Sequence, residues 1–119
     1  MNNQLLGKRG EELAAEYLVG HGFRIIDRNF KARYGELDII AIQGTVLVFI
    51  EVKTRVGREF GLPEEAVTPR KLAEVLKTAQ YYKLLHPNLP ESLRIDVIGI
   101  ELFSDETIKY FNHIRNVTG

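Results

Sequence analysis

The stretch that most limits how this chain can fold is Val46 to Lys53, Val-Leu-Val-Phe-Ile-Glu-Val-Lys. Its leading residues are all apolar, so a strand here must be covered on both faces, as in a sheet held between helices. Period two sends Val46, Val48, Ile50 and Val52 to one face and Leu47, Phe49, Glu51 and Lys53 to the other. The buried strand therefore ends by putting a carboxylate and an ammonium on one face. Charges that enter a buried strand lose hydration and need a partner, a metal or a task. An ion pair across the sheet meets that need as well as a reactive site does, and this segment alone does not choose.

The preceding segments bring more charge towards it. Residues 4–20 read as a helix closed by Gly20 and Gly22, with Leu6, Leu13, Ala14, Tyr17 and Leu18 as its apolar stripe. Glu11 falls at the edge of that stripe, whereas Glu12 and Glu16 fall towards water. Glu11 is thus either the helix acid aimed at the sheet or a solvated rim residue. Gly7 and Gly10 lie near the apolar side, where close backbone approach would offset their helix cost of about 1 kcal/mol each. Residues 23–31 read as a strand whose basic run, Arg24, Arg28, Lys31 and Arg33, is either a solvated face or a contact for phosphate. Tyr34-Gly35 marks a turn.

Residues 36–42 form the next expected strand, with Glu36, Asp38, Ile40 and Ile42 on one face. A short link around Gln43-Gly44 makes it an antiparallel hairpin with the central strand. A two-residue loop at Gln43-Gly44 sets Asp38 opposite Phe49 and diagonal to Glu51; a four-residue loop sets Asp38 opposite Glu51. Either register gathers Asp38, Glu51 and Lys53 on one face, and only a bulged three-residue loop would part them. Two carboxylates so close raise each other's pKa unless a cation lies between them. Oxygen donors from two acids, with a carbonyl and waters, suit Mg²⁺ or Mn²⁺. A lysine beside such an ion adds positive charge for a phosphorus transition state, the requirement of metal-assisted phosphodiester hydrolysis.

Asp38 followed by Glu51-Val52-Lys53 resembles the Asp…Glu-X-Lys signature of the PD-(D/E)XK nuclease superfamily. Residues 7–18, Arg28-Asn29, Gly35-Glu36-Leu37-Asp38, Phe49 to Lys53 and Arg94-Ile95-Asp96-Val97 further resemble the YraN family. That family comprises small bacterial proteins of unassigned function with a nuclease-like fold, similar to archaeal Holliday-junction resolvases. Leu37 stands where the superfamily usually has proline, which leaves the metal-ligand position intact. The resemblance implies that Asp38, Glu51 and the Val52 carbonyl bind metal. It also implies that Glu11, a helix glutamate before Gly22-Phe23, completes the shell directly or through water. Lys53 would then position the attacking water or stabilise the phosphorane. The resolvase likeness further implies an isologous homodimer.

After Lys53, residues 54–63 read as a basic loop holding Arg55. Thr68-Pro69 opens a second helix, threonine as cap and proline in the first turn, with Leu72, Val75, Leu76 and Ala79 as its buried stripe. Arg70 and Lys71 sit in that first turn, where the helix dipole disfavours cations. Either a bound phosphate or Glu64 and Glu65 would relieve this. Gln80 and Tyr81 face the site or pack. Residues 93–100 and 107–114 read as the last strands, with Asp96 expected to pair with Lys53 or an arginine. His21, His86 and His113 have no metal-ligand spacing and are expected to be surface or packing residues. Arg28, Arg33, Arg55 and Lys71 are the candidate phosphate contacts.

Composition excludes several classes. Lys and Arg total 16, as do Asp and Glu, so no global field draws the chain onto nucleic acid. The absence of cysteine removes disulfides, thiolate zinc sites and cysteine nucleophiles. No apolar run suggests a signal peptide or a membrane span, so a cytoplasmic protein is expected. The expected fold is a single α/β domain over residues 1–119, a restriction-endonuclease-like mixed central sheet flanked by helices in the order α-β-β-β-α-β-β. The expected function is Mg²⁺- or Mn²⁺-dependent cleavage of DNA, branched or structured DNA included. The alternatives are a nucleic-acid-binding module without turnover and a protein-interaction scaffold that keeps the nuclease fold.

Overall fold

The computed structural model describes residues 2–119. The element order is α1 (Asn3–Gly20), β1 (Arg24–Ala32), β2 (Gly35–Gln43), β3 (Val46–Val56), a 3-10 turn (Pro63–Ala66), α2 (Pro69–Leu85), β4 (Ser92–Leu102) and β5 (Ile108–Ile114). The strands form one five-stranded sheet in chain order. Only β3 and β4 run parallel; every other neighbouring pair is antiparallel. This is the mixed α/β, restriction-endonuclease-like arrangement expected.

Both faces of β3 are covered, as its apolar run demands. Val48, Ile50 and Val52 join Ile39, Ala41, Ile98 and Ile100 under Ala14 and Leu18 of α1. Leu47 and Phe49 join Ile40 and Ile95 under Val75, Ala79 and Tyr82 of α2. The two helices therefore lie on opposite faces of the sheet. Thr68 caps α2 as expected, its hydroxyl accepting from the Lys71 N–H at 3.2 Å, with Pro69 in the first turn. Tyr82 is the aromatic that packs; Tyr81 and Gln80 are exposed, so neither reaches the core or the acids.

Several expectations need correction. The β2–β3 turn is Gly44-Thr45, one residue later than Gln43-Gly44, because Gln43 still pairs with Val46. Gly44 has φ +60°, which a type II′ turn needs at its first central residue. The resulting offset, from Gln43 with Val46 to Ile39 with Ile50, is that of the second expected register, which turns Asp38 towards Glu51, although the pairing itself ends at Ile39 and Ile50. β3 also continues through Thr54 and Arg55 to Val56 instead of becoming loop, since parallel pairing with β4 runs on to Leu102. The β1–β2 turn is Arg33-Tyr34, one residue before the position expected.

Of the two α1 glycines, Gly10 is the one pressed against the sheet. A Cβ built there would lie 1.7 Å from Thr54 Oγ1, whereas at Gly7 it would meet nothing within 4 Å. Gly10 thus sets how closely α1 seats on β3 and where the neighbouring Glu11 stands. Gly10→Ala should destabilise the fold by about 1–3 kcal/mol in urea unfolding, although alanine is the better helix former. Thr54→Ala in the same chain should recover part of that loss, because the hydroxyl is the closest obstruction.

Candidate active site

The candidate site lies where the ladder between β2 and β3 stops. Backbone pairing ends at Ile39 and Ile50, although β2 reaches back to Gly35 and β3 runs on to Val56. The Val52 N–H, which a continued ladder would give to a β2 carbonyl, instead donates to Asp38 Oδ2 at 2.8 Å. Face alternation slips at the same place: Leu37 and Ile40 both belong to the core under α2, while Ile39 belongs to the core under α1. Glu36 to Ile42 is therefore not the uninterrupted period-two strand expected. Asn29, which lies across from Asp38 on β1, has φ +53°, a left-handed conformation that asparagine tolerates better than most residues. The opening leaves a cavity of about 380 Å³ through which groups from both helices reach one volume.

Its walls carry Glu11 from α1, Glu36 and Asp38 from β2, Glu51 to Arg55 from β3, and Lys71 from α2. Glu51 is 3% exposed, and its nearest cations, Lys53 Nζ and Lys71 Nζ, both stand 3.9 Å from Oε1. Burial, then the charge of Asp38, pushes the Glu51 carboxyl up to about 7 against the opposing pull of both lysines. Burial likewise raises Asp38, against the Val52 hydrogen bond that lowers it. Burial and the Asp38 charge raise Glu11 to about 7 as well.

The buried acids Asp96 and Glu101 and the half-buried Glu64 behave differently. Asp96 accepts from Arg94 Nε at 2.9 Å, His113 Nε2 at 2.8 Å and the Asn116 N–H at 3.0 Å. Burial would raise it, yet those hydrogen bonds prevail and hold it below its usual value. The hydrogen bond from Arg58 Nε to Glu101 at 2.7 Å, with Lys109 Nζ at 3.6 Å, lowers Glu101. Glu64 is also lowered: burial raises it, but Tyr110 and Asn112 both donate to it and outweigh that effect. Close donors thus hold these three acids low, although Glu64 Oε1 and Glu101 Oε2 have no hydrogen-bond partner. Asp38, with its one backbone donor, Glu51, with two lysines at 3.9 Å, and Glu11 are held high instead.

The remaining candidates separate. Lys53, Val52, Arg55 and Lys71 share the cavity with the acids. Arg28 is exposed on β1 and close enough to lower Glu11 electrostatically. Arg33 lies away from the cavity, at the β1–β2 turn with its Cζ 5.6 Å from the Tyr34 ring centroid. Asp96 pairs with Arg94, as one expectation had it, and not with Lys53. Glu64 and Glu65 do not neutralise the first turn of α2. Glu64 turns to Tyr110, Glu65 accepts from the Leu62 N–H, and Lys71 finds Glu51 instead. His113 is a packing residue, set between Asp96 and the Tyr17 hydroxyl. Sequence reasoning does not single out Glu36, yet it lines the cavity and raises all three acids. Its position two residues before Asp38 is the signal available.

The profile of an uncharacterised protein family, UPF0102, matches residues 10–100. A UPF0102 protein of Syntrophomonas wolfei is 47% identical over 114 residues, covering 96% of this chain and 97% of the relative. One of Geobacter sulfurreducens is 45% identical over 115 residues, covering 97% and 89% respectively. The chain belongs to the UPF0102 family, the YraN family of the sequence resemblance. These relatives carry the family designation and no stated activity.

The donors of this UPF0102 chain can be tested against a divalent ion from its own geometry. Among the described residues no group of three or more His, Cys, Asp or Glu is arranged as a ready-made metal cage. Mg²⁺ does not require one, because it is held through one or two carboxylates and keeps several waters. The buried Glu51 and half-buried Asp38 carboxylates, both with raised pKa values and the former with lysines no nearer than 3.9 Å, lie beside a strand carbonyl and are oxygen donors of that kind. The set fits.

Those shifts have a measurable consequence without metal. A carboxyl raised from 4.5 to about 7 by folding stabilises the native state below about pH 4.5, a contribution lost as pH rises through about 7. Urea unfolding in EDTA should therefore show stability falling between pH 5 and pH 8. Glu51→Gln should flatten that fall and add roughly 1–3 kcal/mol at pH 8. A less stable Glu51→Gln at pH 8 would mean that attraction to the two lysines outweighs burial and Asp38.

Proposed function

We propose that this chain is a divalent-metal-dependent endonuclease that hydrolyses phosphodiester bonds in DNA, branched or structured DNA included. The observation that carries the reading is the division among its buried and half-buried acids. Asp96, Glu101 and Glu64 are each matched by close donors, whereas Asp38, Glu51 and Glu11 are held with raised pKa values around one cavity that two lysines also enter. Holding such acids partly or wholly out of water with raised pKa values costs stability, and a structural role would have been served by side-chain donors at hydrogen-bond distance, as at Asp96.

Asp38, Glu51 and the Val52 carbonyl are the groups that would hold Mg²⁺ or Mn²⁺, with Glu11 acting through water. Bound there, the ion would supply Lewis acidity towards the phosphodiester and a more acidic water. The protein's own contribution begins with geometry. The Val52 N–H fixes one oxygen of Asp38 and so orients the carboxylate at the end of the ladder. Lys53 Nζ, 3.9 Å from Glu51, is placed to orient a water or to stabilise charge developing on a phosphate oxygen. Lys71 carries its charge in the first turn of α2, where the helix dipole opposes it; Glu51 offsets that penalty now, and a phosphate would do so in a complex. Arg55, on the cavity wall, is a further phosphate contact.

Nicking of supercoiled and branched DNA in Mg²⁺ and in Mn²⁺, read beside calorimetric titration of the ion alone, tests this. Asp38→Asn and Glu51→Gln should abolish ion uptake and lower the nicking rate at least a hundredfold, roughly the loss of one preorganised charge-stabilising group. Lys53→Ala should lose nicking to a similar extent while still taking up the ion. Ion uptake unchanged in both acid variants, or nicking that survives them, would overturn the proposal.

A further inference from the structure

We infer that a second groove, between the β1–β2 turn and the C-terminal half of α2, is a subsite for an unpaired DNA strand running out of the acid cavity. Its location relies on the nuclease reading; its chemistry does not. The groove encloses about 350 Å³ and is walled by Phe30, Lys31, Arg33, Tyr34 and Tyr81 among others, with no acid in its lining. Tyr34 is 52% exposed and Tyr81 45% exposed, unusual for large rings with a core close by. Lys77 Nζ stands 4.9 Å and Arg33 Cζ 5.6 Å from the Tyr34 ring centroid. Phe30 and Tyr81 lie with centroids 6.4 Å apart. In a chain whose charges cancel overall, this gathers cations and exposed aromatic rings in one place.

That combination suits one kind of occupant. An exposed ring such as Tyr81 receives bases by stacking, and cations such as those over Tyr34 track the phosphates of a single strand. In a duplex the base faces are already stacked on each other, so the rings would have nothing to receive. Shared wall residues relate the groove to the acids. Lys31 also lines an intervening trough, and the walls of that trough include Glu11 and Glu36, which belong to the acid cavity as well. In this proposal a strand with one phosphate at Asp38 and Glu51 passes Lys31 at the sheet edge and lays its unpaired bases on Tyr81. The proposed activity then acts beside single-stranded segments, as at a fork or flap.

The test uses the full chain in EDTA, with fluorescence anisotropy on a labelled oligo-dT strand and on a blunt duplex. The single strand should bind more tightly. Tyr81→Ala and Arg33→Glu should each weaken it about tenfold, and Tyr81→Ala, which changes no charge, should leave duplex binding unchanged. The chain has no tryptophan, so Tyr81→Trp puts a sole indole in the groove, and its fluorescence should be quenched by oligo-dT. Unchanged single-strand affinity in both variants, or indole fluorescence of Tyr81→Trp that oligo-dT leaves unquenched, would overturn the subsite. So would a sedimentation shift to monomer caused by Tyr81→Ala, which would make the groove an interface between copies. Nicking by the parent protein separates the two proposals. Quenching without nicking sinks only the nuclease, and nicking with unaltered substrate preference in Tyr81→Ala sinks only the subsite.

Discussion

Everything at the candidate site depends on the β2–β3 ladder stopping at Ile39 and Ile50. With the ladder continued, the sheet would be a closed wall, and α1 and α2, on opposite faces of it, could not contribute to one volume. The Asp38 carboxylate takes the Val52 N–H that a backbone carbonyl would otherwise have taken, so the opening leaves that donor satisfied. Asn29 on β1 follows the same distortion with its left-handed φ. The opening is tolerated because the rest of β3 is paired with β4 along its whole length and buried on both faces.

Through that opening the cavity collects groups that have no reason to be neighbours in sequence: Glu11, Asp38, Glu51, Lys53 and Lys71. Burial disfavours the ionised acids more than the two lysines at 3.9 Å favour them. Elsewhere the same sheet shows how a buried acid is handled when its role is structural. Glu101 and Asp96 on β4 meet guanidinium or imidazole groups at hydrogen-bond distance and lie below their ordinary pKa values. Identical chemistry, two strands apart at most, is used in two opposed ways.

Much of this is legible without any coordinates. The two-sided apolar run of β3, the α1 stripe, the Thr68-Pro69 start of α2 and the Asp38…Glu51-X-Lys53 spacing each depend on local periodicity or capping, which read directly from residue order. Less legible are features set by partners distant in the chain. The end of β3 depends on β4, and the β2–β3 turn falls one residue later than expected because Gln43 gains a partner in Val46. Lys71 reads as a cation at odds with the helix dipole, yet its partner is Glu51 on a strand and not the adjacent Glu64 or Glu65. Tyr82 rather than Tyr81 packs inward because helix phase is fixed by the sheet it rests on.

The sequence by itself determined the elements, their amphipathic faces and the identity of the acids and lysine at the end of the central strand. Periodicity and capping act over a few residues, so order alone specifies them. Only the tertiary structure decided that β2 and β3 part at Asp38, that Glu36 and Lys71 join the acids, and that Asp96, Glu101 and Glu64 are satisfied elsewhere. Those outcomes turn on desolvation and on distances between segments far apart in the chain, which no local pattern encodes.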